Sequence, residues 1–278
     1  MTALNVTMNN VTDPTYQTMF DSLIKEVFGF SFQPWFELGL LDDRYESYSI
    51  IEDGKMLANV CIYKADLLIH GKPVRAHQFG AVATRKSARG GGLARFLTEH
   101  VLAKYPTTPA YLHANPTVVD FYPRFGFKQV QTFCPGIEIS VNNPDIVSVK
   151  IAPSDLLFPT KWAVSKALDS INNISIKRFH LLMSYSNCIY HLPKNGATVI
   201  AVQEENELFL ADVISPIPIA FDDLVKELPF VGVDYVEFGF NPDWLGVEPQ
   251  WEESDDLVFV RGSWDLPQFF RFPAMSET

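Results

Sequence analysis

The stretch TRKSARGGGLARFL, from Thr84 to Leu97, decides how this chain folds. Cationic residues come first, three consecutive glycines from Gly90 to Gly92 follow, and an apolar run then begins at helical spacing. Inside regular structure, each glycine costs roughly 0.5–1 kcal/mol relative to alanine. A loop of this composition therefore predicts a close approach of the backbone to a ligand.

The residues after the glycines predict an amphipathic helix that runs to about Lys104 and ends before Pro106. The first N–H groups of a helix have no partner within it and lie at the positive end of its dipole. Glycines before such a helix allow successive N–H groups to converge on one anion, typically a phosphate. A flexible basic loop is the alternative that composition alone leaves open.

Two common phosphate-binding motifs do not fit these glycines. A nucleoside-triphosphate loop requires a Lys-Ser/Thr pair after its last glycine, and none follows Gly92. A dinucleotide fingerprint starting at Gly90 would place its third glycine at position 95, where the chain has Arg95.

The stretch resembles the acyl-CoA-binding loop of the GNAT N-acetyltransferases. The family pattern Gln/Arg-x-x-Gly-x-Gly/Ala corresponds here to Arg89 through Ala94. The resemblance implies that acetyl-CoA is the cofactor, with its pantetheine arm paired to the end of the fourth strand and its pyrophosphate held by the loop amides. The cofactor-binding residues that it implies are Val82, Ala83, Thr84, Arg89, Gly90, Gly91, Gly92, Leu93, Ala94, Arg95 and Asn115.

A second segment, HANPTVVDFYPRFGFKQV from His113 to Val130, resembles a later part of the same family. There an asparagine opens a short helix that ends in a tyrosine-containing motif. The resemblance implies that Asn115 hydrogen-bonds the cofactor arm and that Tyr122 faces the thioester sulfur. A phenol in that place acts as a general acid toward the leaving thiolate, so Tyr122 is the catalytic candidate. Packing in a core beside Phe121 and Phe125 is the alternative for this tyrosine.

The sequence departs from the family pattern at the general base. Many members have a glutamate on the fourth strand, which here reads VRAHQFGAVAT and contains no acid. The candidates are His77, His113 and Glu46, and water is a further alternative. His77 and Gln78 must face opposite sides of the strand, so only one of the two can face the substrate.

The whole chain of 278 residues suits one large or two ordinary domains. Strand and helix patterns alternate, which predicts an α/β fold with some parallel pairing. The resemblance to the GNAT family implies a mixed sheet with splayed central strands. Strand, turn, strand, helix and strand then recur in the second half, with SPIPIA in place of the glycine loop. We therefore predict a GNAT domain over residues 1–140, a linker over 141–155, and a degenerate GNAT-like domain over 156–278.

Charge and cysteine content indicate which partners and which cellular compartment suit this chain. Residues 1–150 carry 14 basic and 14 acidic residues, whereas residues 151–278 carry 8 and 19. An acidic half argues against nucleic acid as a partner. The three cysteines form no metal-ligand or disulfide spacing, no apolar run could span a membrane, and no signal peptide is evident, so we expect a cytoplasmic protein.

On the substrate side, the aromatic residues of the early helices predict one wall of an acceptor pocket, suited to an apolar or aromatic acceptor; helix packing is the alternative. They are Phe28, Phe30, Phe32, Trp35 and Phe36. The acidic stretch Trp251–Asp256 either attracts a cationic amine or is simply solvated. We expect N-acetylation of a small-molecule amine. The alternatives are a non-catalytic acyl-CoA sensor and an enzyme acting on a protein amine; a homodimer is compatible with the sequence.

Overall fold

The computed structural model describes residues 4–9, 11–146, 149–150, 164–215 and 217–278. Two mixed β-sheets and a few helices make up the fold, which confirms the predicted α/β class. Residues 147–148 and 151–155 of the predicted linker lie outside the described residues, and the domain boundaries stay a prediction. Within the described ranges, no helix is long and apolar enough to cross a membrane.

The first sheet is built mainly by the N-terminal half. Two-residue turns at Asp53-Gly54 and His70-Gly71 join its three long strands, and positive φ at all four positions matches the twist of antiparallel strands. Each turn closes a β-hairpin. The strands are β1 (Val6–Asn9), β2 (Tyr45–Glu52), β3 (Lys55–Ile69), β4 (Lys72–Thr84), β5 (Ala110–His113) and β6 (Lys128–Val130).

Helices cover the two faces of this sheet. Helix α1 (Pro14–Phe28) begins where the Asp13 side chain accepts a hydrogen bond from the Tyr16 N–H, and it ends at the left-handed Gly29. It packs on one face together with α2 (Gln33–Glu37). Helix α3 (Leu93–Lys104) follows the glycine loop, as predicted, and packs on the opposite face.

The segment after β5 differs from expectation. A short helix was predicted from Pro116, but the chain forms two separate 3-10 turns, Pro116–Val118 and Tyr122–Phe125. Pro123 has no N–H group to donate, so a continuous α-helical ladder cannot pass through it. Strand β6 and then strand β7 (Phe133–Val141) follow these turns.

The second sheet repeats the outline of the first, which confirms the tandem arrangement. Its parallel pair, β12 and β13, flanks the short helix α5 (Phe221–Val225), as β4 and β5 flank α3. Besides β7, its strands are β8 (Val149–Lys150), β10 (Ile189–Leu192), β11 (Ala197–Glu204), β12 (Glu207–Ile214), β13 (Val233–Phe238) and β14 (Gln250–Glu253).

The two sheets exchange strands. Strand β7 leaves the N-terminal half and pairs with β13 and β14 in the second sheet. In return, β9 (Leu168–Ile171) pairs with β3, and β15 (Val258–Arg261) lies between β5 and β6 of the first sheet. Each sheet is therefore completed by strands from the other half of the sequence.

Helix α4 (Ile174–Met183) is a further contribution of the second half to the first. Its Phe179 ring packs against Phe32 and Trp35, with ring centroids 5.0 and 5.4 Å apart. The Ser175 hydroxyl donates a hydrogen bond to the Leu40 carbonyl at 2.6 Å. This helix thereby covers the aromatic residues that follow α1.

Candidate functional site

Strands β4 and β5 part in the middle of the first sheet. They pair in parallel only at His77 with Ala110 and at Gln78 with Tyr111. Beyond this point β4 contains a bulge, where the register with β3 shifts and Ala81 has a φ of 46°. Val82, Ala83 and Thr84 continue β4 past the bulge. Among the described strands, none pairs with this stretch on the β5 side, so its backbone groups there remain open to a ligand.

The glycine loop lies at the end of this open edge. Gly90 and Gly92 have φ values of 83° and 75°, and a Cβ atom at either would have nothing within 4 Å. Gly92 is the N-cap of α3 and has no side chain to bond the first amides of the helix. Gly91 precedes this N-cap, and Leu93, Ala94 and Arg95 are the first residues of α3. Exposed backbone with unpaired amides is thus present where the sequence predicts the pyrophosphate.

The cationic residues of the loop are only partly available to an anion. The guanidinium of Arg85 pairs with Glu26 on α1 at 2.6 Å, and the N–H of Lys86 donates to the same carboxylate at 2.8 Å. Arg95 pairs with Glu99 at 2.8 Å, although both side chains are exposed. Arg89 donates only a long hydrogen bond, 3.3 Å, to the Thr84 carbonyl. The Arg85 side chain is thus already engaged by Glu26, whereas the amides at the start of α3 have no capping side chain.

Tyr122 lies on the α3 face of the sheet, in the same apolar cluster as Val82 and Leu93. Its ring packs against Phe121 and is 6% exposed. Burial raises the pKa of its phenol to about 12. Asn115 is exposed, and its side-chain oxygen accepts from the N–H and hydroxyl of Thr117 at 3.0 and 2.8 Å. Both predicted residues therefore follow β5, at the border of the opening.

The candidate side chains for the general base lie on opposite faces of the first sheet. His77 is buried on the α3 face with its ring against Tyr105, and burial lowers its pKa to about 4. Glu46 lies on this face too: burial opposes its ionisation, but hydrogen bonds from Lys64, Tyr48 and Tyr105 outweigh it and lower the pKa to about 2. Neither side chain faces the α1 side of the sheet.

His113 at the end of β5 is the candidate on the α1 face. Its ring contacts Phe272, and its Nδ1 lies 3.7 Å from the Glu277 carboxylate. The other ring nitrogen, Nε2, is buried and has no hydrogen-bond partner among the described residues. Gln78 faces this side as well: with its amide oriented to suit both partners, it donates to the Ser276 carbonyl at 2.8 Å and accepts from the Thr278 N–H at 3.1 Å.

A cavity of about 290 Å³ lies on the α1 face beside the bulge of β4. Its walls are mainly aromatic and come from both halves of the sequence. Phe36, which the sequence also placed in this wall, packs in the adjacent core. The residues that line the cavity are Ile24, Phe28, Phe30, Phe32, Trp35, Tyr45, Ala81, Ile176, Phe179, His180, Glu277 and Thr278.

The polar lining comes from residues that the sequence did not indicate. The His180 Nε2 lies 2.8 Å from the Glu277 carbonyl, and burial lowers the pKa of this imidazole. Thr278 lies directly over Gly80, where a Cβ atom would be 2.5 Å from the threonine Oγ1. These residues are far from the glycine loop in sequence and match no motif, so only the fold brings them to the cavity.

The acidic stretch Trp251–Asp256 does not line this cavity. Its first residues belong to β14, at an edge of the second sheet. Of the two readings of the stretch, solvation is the one that this position supports.

The second parallel pair shows no comparable opening. Strands β12 and β13 stay paired over four residues, and the Gly239 N–H then donates to the Leu210 carbonyl at 2.8 Å. A Cβ atom at Gly239 would lie 2.9 Å from the Ala211 backbone. Since these two strands remain in contact, the described part of the second sheet has no opening between its parallel strands like that beside β4.

Residues 8–130 match the family model described as the acetyltransferase (GNAT) domain. Over these residues the chain is similar to GNAT acetyltransferase domains. This match covers the parted strands, the glycine loop and Tyr122, and it indicates an acyltransferase. No curated protein matches the sequence.

Solved structures share the fold over nearly the whole chain. Eis1 from Mycobacterium abscessus has 14% identity and a TM-score of 0.60, with 92% of this chain and 73% of that chain covered. A GCN5-related N-acetyltransferase from Anabaena variabilis has 13% identity and a TM-score of 0.57, over 92% and 72%. A putative acetyltransferase from Pyrococcus horikoshii has 10% identity and a TM-score of 0.51, over 100% and 97%. At these identities the likeness is one of fold.

Proposed function

We propose that this protein is an acetyl-CoA-dependent N-acetyltransferase whose acceptor is the primary amine of a small molecule. The observation that supports this most is the parting of β4 from β5 directly before the glycine loop. The open edge of β4 suits the extended, amide-containing pantetheine arm, and the amides at the start of α3 suit a diphosphate. The residues present therefore fit the cofactor.

When bound, acetyl-CoA supplies the acetyl group: the amine nitrogen bonds to the carbonyl carbon, the carbon–sulfur bond breaks, and coenzyme A leaves as the thiol. Tyr122 is the proposed general acid. Because burial holds its pKa at about 12, the phenol stays protonated at neutral pH and can donate to the sulfur. The nitrogen loses one proton to solvent, and the phenol regains one from it.

The size of the cavity favours a small acceptor. The cavity of about 290 Å³ is close to the lower end of the range for small-molecule pockets, roughly 300–1,000 Å³, which leaves little room for a peptide chain.

Cys61, Cys134 and Cys188 are all free thiols, as expected for a cytoplasmic protein. A homodimer remains part of the proposal.

Replacing Tyr122 by phenylalanine tests the assigned chemistry. Among the described residues its hydroxyl makes no hydrogen bond, so the variant should fold normally and bind acetyl-CoA with nearly unchanged affinity. Loss of the proton donor should lower turnover by about 100-fold or more, measured as free thiol released with a panel of amines. Tyr190→Phe, on the second sheet, is the matched control and should keep full turnover. Unaltered turnover in Tyr122→Phe would rule out this residue as the acid.

A non-catalytic acyl-CoA sensor is the second candidate. The observation in its favour is that β4 contains no acidic residue that could act as the base. Acetylation of any amine in the panel would exclude it. Binding of acetyl-CoA with neither transfer nor hydrolysis would support it.

A further inference from the structure

The walls of the cavity on the α1 face differ from those expected of a site for a polar, multiply charged acceptor. Six Phe, Trp and Tyr rings line it, and Ile24, Ile176 and Ala81 are further apolar residues of the lining. Removing apolar surface from water contributes about 25 cal/mol per Å². Only an acceptor with an apolar body gains from such walls, whereas a sugar or a polyamine would lose water without replacement hydrogen bonds.

One acidic side chain is present in the lining of the cavity. Of the residues that line the cavity, Glu277 is the acidic one, and its carboxylate is 38% exposed. Its nearest cationic neighbour is His113, 3.7 Å away, which is charged only when protonated. A single ammonium group can therefore be attracted here, and the aromatic faces add cation–π attraction. Among the described residues of this lining there is no second acidic side chain.

The cavity lies next to the bulge of β4. Ala81 lies in the lining and is also the residue at which β4 turns away from the register of β3. A molecule in the cavity is thus adjacent to the open edge on which the proposed function places the thioester. An amine carried on a short arm would reach that edge while its ring stays among the aromatic side chains.

Resting on the proposed function, we infer that the acceptor is an arylalkylamine: one aromatic ring joined by a short alkyl chain to one primary amine. The ring packs among Phe28, Phe32 and Phe179, and the ammonium group lies on the side of Glu277. Both halves of the chain build this specificity, because Phe179 and Glu277 come from the second half.

The experiment compares acceptors with the full-length protein. Phenethylamine and tryptamine are tested against spermidine, kanamycin and a peptide with a free N-terminus and a lysine, with thiol release and product mass as readouts. The kcat/KM for the arylalkylamines should exceed that of every other acceptor by at least about tenfold. Higher kcat/KM for spermidine, kanamycin or the peptide would overturn the inference.

A pair of matched variants tests whether the amine binds in this cavity. Phe28 and Phe269 are 45% and 42% exposed, but only Phe28 lines the cavity. Phe28→Ala should raise the KM for phenethylamine several-fold and leave the KM for acetyl-CoA unchanged, whereas Phe269→Ala should change neither. Glu277→Gln should also raise the amine KM. An unchanged amine KM in both Phe28→Ala and Glu277→Gln would overturn the inference.

Calorimetric titration with phenethylamine alone separates this inference from the proposed function. Binding that Phe28→Ala weakens, without acetylation of any amine, would support the acceptor class and contradict the acetyltransferase. Acetylation of other amines, without phenethylamine binding or reaction, would contradict the acceptor class only. Neither binding nor acetylation would contradict both.

Discussion

At the scale of single residues, neighbouring positions on β4 have opposite environments. His77 packs against Tyr105 on the α3 face, whereas Gln78 bonds the Ser276–Thr278 segment on the α1 face. Strand alternation predicted that the two side chains would diverge, but the sequence could not tell which of them faces the acceptor. The partners of Gln78 lie about 200 residues later in the chain, beyond the reach of local patterns.

The pH dependence of stability tests the burial of His77. Its pKa of about 4 in the folded protein lies below the ordinary value of 6.5, so as pH falls the unfolded chain takes up a proton first. The stability that neutral His77 contributes is present above pH 6.5 and is lost as pH falls toward 4. The difference corresponds to about 3 kcal/mol at most.

His77→Gln should therefore flatten the decline of the unfolding free energy between pH 6.5 and 4, measured by urea denaturation. His100→Gln, at an exposed position on α3, is the control and should leave the decline intact. Equal slopes for wild type and His77→Gln over this range would show that His77 titrates alike in the folded and unfolded states.

At the scale of elements, the sequence predicted helix α3, whose start depends on local backbone preferences. The turns at Asp53-Gly54 and His70-Gly71, the capped start of α1 and the glycine-led start of α3 all follow from short-range backbone preferences. The segment with Pro116 and Pro123 was predicted less well, because two prolines permit a helix to start but not to continue. Helix α4 had no signal that would place it over α1, although it completes the cavity.

A buried ion pair anchors α4. Lys177 Nζ lies 2.5 Å from the Asp212 carboxylate of β12, and the two side chains are 8% and 4% exposed. Lys177→Met should leave a buried carboxylate without this cation and lower the free energy of unfolding by about 3–5 kcal/mol. The double variant Lys177→Met/Asp212→Leu should recover much of that loss in urea denaturation. A single variant as stable as wild type would show that the pair does not hold α4.

At the scale of the whole molecule, the two repeats are tied together by exchanged strands. β15 lies between β5 and β6, so the strand that completes the proposed catalytic sheet comes from residues 258–261. The sequence predicted two GNAT-like units from their repeated outline, but strand pairing over such separations depends on tertiary contacts that no short pattern encodes.

This exchange predicts that the halves do not unfold separately. The intact chain should show one cooperative transition in calorimetry, with equal calorimetric and van't Hoff enthalpies. A fragment of residues 1–140 lacks the partner that joins β5 to β6, and it should show no cooperative transition. Two separate transitions in the full chain, or a fragment with its own sharp transition, would contradict this arrangement.

The most direct test of the account is a calorimetric titration that compares coenzyme A with pantetheine, which lacks the diphosphate. If the amides after Gly92 hold that diphosphate, wild type should bind coenzyme A at least about tenfold more tightly than pantetheine. Gly92→Val, which places a branched side chain at a φ of 75°, should reduce coenzyme A to the affinity of pantetheine without lowering Tm substantially. Equal affinities for the two ligands in wild type, or full coenzyme A affinity in a folded Gly92→Val variant, would contradict the assigned site.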